Sequence, residues 1–180
     1  LHIFVTVVTV TDVTKIKSMK FYNRTSELAE LKRIQNLSFS DHSRLTVVTG
    51  RRRIGKTSLI MKSVEDLPTV YLFVGQKSEA TRCTEFIPII SQSLDTFVPA
   101  EIRTFRSLFQ YLMELASLKS FNLVIDEFQE FYNINESVYS DMQNIWDTYR
   151  KKSKMNLIVS GSIYSLMQKI FQNNKEPLFG

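Results

Sequence analysis

Leu45-Thr46-Val47-Val48-Thr49-Gly50-Arg51-Arg52-Arg53-Ile54-Gly55-Lys56-Thr57-Ser58-Leu59-Ile60-Met61-Lys62-Ser63-Val64 decides the fold of this chain. Its first five residues are a short β-branched run, which reads as a buried strand. Its last eight carry apolar residues at helical spacing. Between them Gly50 to Thr57 follows the pattern G-x-x-x-x-G-K-[ST], in which each fixed position has a physical job. Gly50 and Gly55 let the chain wrap closely around a polyphosphate with backbone N–H groups turned inward. Lys56 brings a compact cation to the β- and γ-phosphates. The Thr57 hydroxyl can take one position on Mg²⁺, which prefers oxygen ligands. The helix starting near Thr57, with Ser58 next in its first turn, sets its positive dipole end beneath the phosphates. Four fixed positions match by chance in roughly one chain of this length per hundred. The order strand, glycine loop, helix is the context that makes Gly50, Arg51, Arg52, Arg53, Ile54, Gly55, Lys56, Thr57 and Ser58 a nucleotide-binding loop.

A phosphate loop holds a nucleotide without hydrolysing it, so a carboxylate at a neighbouring strand end is the next requirement. Phe121-Asn122-Leu123-Val124-Ile125-Asp126-Glu127 supplies one about seventy residues downstream. Leu123-Val124-Ile125 reads as a central parallel strand buried on both faces. Asp126 lies at its carboxyl end, where ligands bind in open α/β sheets, and is the candidate to hold Mg²⁺ through its water shell. Glu127 is expected to point toward the γ-phosphate and to orient the attacking water. A third strand, Met155 to Val159, ends in Ser160-Gly161-Ser162.

The rest of the pattern alternates strands with helices. Helices are expected at Thr25–Asn36 (capped by Thr25 or Ser26), from the loop to Glu65, at Ser78–Thr96, Glu101–Ser117, Glu136–Lys151 and Ser162–Gln172. Strands are expected at Arg44–Thr49 and Thr69–Val74, besides those already named. The result is an α/β, three-layer fold with a mainly parallel central sheet flanked by helices. Phe105, Phe109 and Leu112 fall at helical spacing and read as core, and Trp146 and Tyr149 as cover for the sheet.

At 180 residues, the chain is long enough for one substantial core. One cysteine, Cys83, and two histidines exclude a disulfide framework, a cysteine zinc site and a histidine triad. Net charge of +5 and a pI near 9.3 allow contact with nucleic acid without requiring it. Arg150-Lys151-Lys152-Ser153-Lys154 reads as a solvated helix end rather than a binding patch. Residues 1–18 are a separate stretch. Ile3 to Val10 is apolar and β-branched, lacks a basic leader and is too short to span a bilayer. With Met19 just ahead of a recognisable segment, 1–18 is read as an extension outside the natural protein and 19–180 as the nucleotide-binding domain. The other reading is an extra edge strand, and mass spectrometry of the native N-terminus decides between them. A cytoplasmic location is expected.

The motifs together resemble the archaeal-type ATPases of the AAA+/STAND P-loop class. The matching pieces are Phe21 to Leu28, Gly50 to Thr57, Val124 to Gln129 and Leu157 to Ser162, and the resemblance runs from Met19 to the end. It implies a P-loop NTPase fold of the additional-strand, catalytic-glutamate type, with ATP and Mg²⁺ as cofactors, and it assigns catalysis to Glu127 and Lys56. It also implies that the Asp-Glu strand's neighbour ends in a residue that senses the γ-phosphate. Ser160 is preferred there over Ser162, which could instead cap the following helix. An adenine pocket at Phe21, Tyr22, Asn23 and Arg24 follows from the N-R-x-x-E-L box, against the alternative of a helix entry with an exposed arginine. A C-terminal module and an arginine are expected beyond Gly180, so the activity of this chain alone is left open, as are a protein partner and an oligomer. The competing functional reading is a non-catalytic module whose partner or DNA binding is set by bound ATP or ADP. A small-molecule kinase would need an acceptor pocket and lid arginines that no motif marks. ATP is favoured over GTP by the resemblance and by the lack of an Asn-Lys-x-Asp motif.

Overall fold

The computed structural model describes residues 5–9, 24–162, 166–167 and 170–171, and for 5–9 the backbone alone. Five parallel strands form its sheet: β1 (Val5–Thr9), β2 (Arg44–Thr49), β3 (Thr69–Phe73), β4 (Phe121–Asp126) and β5 (Met155–Gly161). Their order in space is β1-β2-β5-β4-β3, so the strand before the glycine loop and the Asp-Glu strand flank β5. Val5 to Thr9 pairs in parallel with Leu45 to Thr49 at one edge of the sheet.

Helices α1 (Thr25–Ser40) and α2 (Lys56–Val64) cover one face. On the other lie α3 (Glu79–Leu94), α4 (Phe105–Ala116) and α6 (Ser137–Tyr149), with the short α5 (Phe131–Ile134) between. The expected three layers are there. Among the described residues no helix is long and apolar enough to cross a membrane.

Local chemistry explains most boundaries. Helix α4 buries Phe105, Leu108, Phe109, Leu112, Met113 and Ala116, one stripe at three- and four-residue spacing. Each large side chain so buried stabilises the fold by about 1.5–3 kcal/mol. Thr104 caps α4 by accepting from the Ser107 N–H at 3.3 Å, and the Glu79 carboxylate accepts from the Phe105 N–H at 2.7 Å. These two caps start the helix four residues later than its sequence pattern does. Ser78 caps α3 in the same way, through the Thr81 N–H. Neither Thr25 nor Ser26 caps α1: Arg24 is the cap residue and no side chain bonds there, while Ser26 donates to Glu27 instead. The expected Glu136 helix starts at Ser137 and is preceded by a 3-10 turn (Phe128–Glu130) and α5, which pack Phe128 and Phe131 into the core. Beyond Ser162, helical backbone is described at 166–167 and 170–171; the start of that helix lies outside the described residues.

Phe105, Phe109 and Leu112 are fully buried, and Trp146 nearly so. The basic run Arg150 to Lys154 precedes β5, at the end of the sheet opposite the glycine loop. Lys152 lies over the Tyr149 ring at 4.4 Å. The arginines of the loop and this run therefore do not form one continuous basic surface.

Candidate functional site

The chain leaves β2 at Thr49 and enters α2 at Lys56, with the glycine loop between. Gly55 has φ 83° and ψ 25°, and a Cβ there would meet nothing within 4 Å. Its backbone alone calls for glycine. Arg53 holds a left-handed φ of 63° without that freedom. Lys56 is 7% exposed, and its Nζ donates to the carbonyl oxygens of Gly50 at 2.8 Å and Arg51 at 2.9 Å. A buried ammonium requires such partners. Burial pulls its pKa below that of an ordinary lysine, and the nearby Glu127 and Asp126 carboxylates oppose that pull. Arg51, Arg52, Arg53, Thr57 and Ser58 are exposed, and Ile54 packs half-buried against the apolar cluster under α1 and α2.

Asp126 ends β4 and is 5% exposed. Four donors converge on its carboxylate. Oδ1 accepts from the Ser160 hydroxyl and from the Glu127 N–H at 3.0 Å; Oδ2 accepts from Thr57 Oγ1 and from the Tyr71 hydroxyl, both at 2.8 Å. Such charge-assisted bonds repay the cost of burying the carboxylate and fix both of its oxygens. Because Thr57 gives its proton to Asp126, the lone pairs of its hydroxyl are left for a cation. A hydroxyl backed by a carboxylate is an all-oxygen donor set, which suits Mg²⁺. Among the described residues no group of three or more His, Cys, Asp or Glu side chains could hold a metal. A Mg²⁺ at Thr57 would therefore complete its shell with phosphate and water oxygens, as this ion commonly does. The residues fit that ion.

Glu127 follows in the left-handed region, φ 55° and ψ 42°, a conformation costly for a residue with a Cβ. Its Oε2 accepts from the Gln129 amide and from the Ser162 hydroxyl at 3.0 Å. Gln129 is 1% exposed and lies against Gly161. A Cβ on Gly161 would stand 2.4 Å from Gln129 Oε1 and 2.6 Å from Met167 Sδ, so glycine is what admits this amide.

Lys56, Thr57, Asp126, Glu127, Ser160 and Ser162 thus gather at the carboxyl ends of three adjacent strands, β2, β5 and β4. The two serines divide the work between them: Ser160 touches Asp126, and Ser162 touches Glu127. Phe21, Tyr22 and Asn23 lie outside the described residues. Arg24 is half-buried at the start of α1, and its Nη1 is buried without a hydrogen-bond partner among the described residues. Tyr71 carries no motif, and Gln129 and Gly161, although they lie inside the matching pieces, were given no role from sequence. Burial first, and then the Asp126 carboxylate, hold the Tyr71 phenol well above its ordinary pKa, so it remains a proton donor. Its place in the alternation of β3 was legible. That this face is the one shared with Asp126 depends on strand pairing, which sequence does not show.

Several solved structures share this fold. The Walker-type ATPase paby2304 of Pyrococcus abyssi superposes with a TM-score of 0.63 at 18% identity, over 89% of this chain and 51% of that one. The ORC2 protein of Aeropyrum pernix, in its ADPNP–ADP complexes, gives 0.62 at 16% identity over 88% and 46%. Cdc6p of Pyrobaculum aerophilum gives 0.59 at 18% over 87% and 43%. In sequence, the chain is 32% identical over 151 residues to the uncharacterized protein MJECL04 of Methanocaldococcus jannaschii, covering 84% of this chain. It spans 32% of that relative's length. Residues 21–178 match the family described as an ATPase domain predominantly from Archaea, and the chain belongs to that family.

Proposed function

We propose that this chain is the nucleotide-binding core of a Mg²⁺-dependent ATPase that converts ATP to ADP and phosphate and uses the cycle to switch conformation. The observation that carries this reading is the convergence of Lys56, Thr57, Asp126 and Glu127, with the Thr57–Asp126 hydrogen bond at 2.8 Å joining the loop to the neighbouring carboxylate. The loop amides and Lys56 bind the phosphates, and Thr57 and Asp126 take the metal side. Bound Mg²⁺ would neutralise phosphate charge as the γ-phosphoryl group leaves. Glu127 orients and polarises the attacking water from a strained, well-fixed backbone. Arg24, with its buried Nη1 open to a partner, suits the base end of the nucleotide. The remainder of a longer protein, or a partner, would receive the switch.

Nucleotide binding and phosphate release, measured together, test this. Lys56→Ala should lose ATP binding. Glu127→Gln should keep binding and lower hydrolysis by about 10²–10⁴-fold. Turnover unchanged by Glu127→Gln would sink the catalytic role. One observation favours a second reading, a nucleotide-gated module without turnover: Glu127 is already engaged by Gln129 and Ser162. Tight ATP binding with no phosphate release in the unaltered chain would support it.

A further inference from the structure

Asp126 is the hinge of the candidate site, and one of its four donors comes from outside the motifs. Tyr71 lies on the edge strand β3, where Phe73 pairs with Asp126 and Tyr71 with Val124. A tyrosine one diagonal step back on the same face is long enough to reach the carboxylate of the adjacent strand. Its ring packs against the cluster of Leu59, Ile60 and Val124 beneath α1 and α2, which leaves the phenol oxygen directed along the sheet. That oxygen donates to the same Oδ2 atom that receives the Thr57 proton. The remaining oxygen, Oδ1, is held by Ser160 and by the Glu127 N–H.

We infer that Tyr71 is a positioning residue of the metal–nucleotide site, acting through Asp126 to orient the Thr57 hydroxyl; this rests on the ATPase reading given above. Without the phenol, Oδ2 keeps only the Thr57 hydroxyl, the group it must orient. The Tyr71 donor fixes that oxygen independently of the loop and holds the Thr57 proton on Asp126, so that the hydroxyl lone pairs face the phosphate side. Partners of this outer kind commonly affect metal affinity by about 10–100-fold.

The test uses Tyr71→Phe, which keeps the packed ring and removes only the hydroxyl. Binding of a fluorescent ATP analogue is titrated with excess Mg²⁺ and again in EDTA, for the unaltered chain and the variant, alongside thermal unfolding. The expected result is that the gain in affinity due to Mg²⁺ falls by about tenfold in the variant, the low end of that range. Affinity in EDTA should stay within about twofold, since the loop and Lys56 are untouched. Equal loss with and without Mg²⁺, or a lowered melting temperature accompanied by no change in the Mg²⁺ gain, would show a merely structural tyrosine and overturn the assignment. So would a variant indistinguishable from the unaltered chain. Failure of the unaltered chain to bind the analogue at all would instead overturn the ATPase reading, and this assignment with it.

Discussion

The two faces of the sheet are built on different chemistry. The face under α3, α4 and α6 is apolar along β2, β5, β4 and β3: Leu45 and Val47, Leu157 and Val159, Leu123 and Ile125, Val70 and Leu72. Phe105, Phe109, Phe128 and Phe131 close over it. The face under α1 and α2 has only a narrow apolar band, with Val48, Ile158 and Val124 among its members, and polar rows on either side. At one end Asn122 accepts from Gln35 at 2.8 Å and from Asn156 at 2.9 Å, and donates to Thr69 at 3.1 Å. At the other end stand Asp126, Ser160 and Tyr71, the candidate site. The broad face supplies burial; the narrow one supplies orientation. A site that must hold charged ligands sits on the face where polar groups already have buried partners.

Substitutions can break this contrast in graded steps. Phe109→Ala, on the broad face and away from the site, should cost about 3–5 kcal/mol in denaturant unfolding, as large core truncations do. A cost near 1 kcal/mol would mean that the apolar layer is not what holds the fold. Asn122→Ala, on the narrow face, leaves the buried amides of Gln35 and Asn156 without their acceptor, and should cost about 2–4 kcal/mol. An unchanged midpoint would show that the polar row merely tolerates burial. Gly161→Ala places a methyl group against Gln129 and Met167 and should cost about 1–3 kcal/mol. Because Gln129 holds Glu127, phosphate release should change in the same variant; a stability loss with unaltered turnover would detach Gln129 from the site. The smallest effect is expected at Arg53, where glycine relieves about 1 kcal/mol of left-handed strain and returns part of it as unfolded-state entropy. A gain of about 0.5 kcal/mol in Arg53→Gly is the expected balance, and a loss would mean that the Arg53 side chain has a stabilising contact.

Much of the fold was legible because its signals are local. The strand Arg44–Thr49 has the ends its β-branched run suggests, and the α4 stripe follows from spacing alone. Boundaries drifted where a distant group intervened. The α4 start is set by Glu79, twenty-six positions away in the chain, and in the turn after Glu127 Phe131 packs against Phe105 and Phe128 against Tyr139 and Phe171. The candidate site was legible where a single short motif carries the chemistry, as with Lys56, Thr57, Asp126 and Glu127. It was not where chemistry depends on which strands are neighbours. Tyr71 reaches Asp126 across a pairing, Gln129 reaches Glu127 over Gly161, and Ser160 and Ser162 take separate partners although one residue lies between them.

By itself, then, the sequence determined that this is an α/β domain with a phosphate-binding loop and an acidic strand end, because glycine conformations, side-chain period and the lysine–threonine pair are properties of contiguous residues. Only the tertiary structure decided what surrounds those groups: the order β2-β5-β4-β3, the four donors on one carboxylate, and the choice of the narrow face for the site. The physical reason is range. Backbone preference and periodicity act within a few residues, whereas the orientation of a buried carboxylate is set by hydrogen bonds from groups that meet only after the strands have paired.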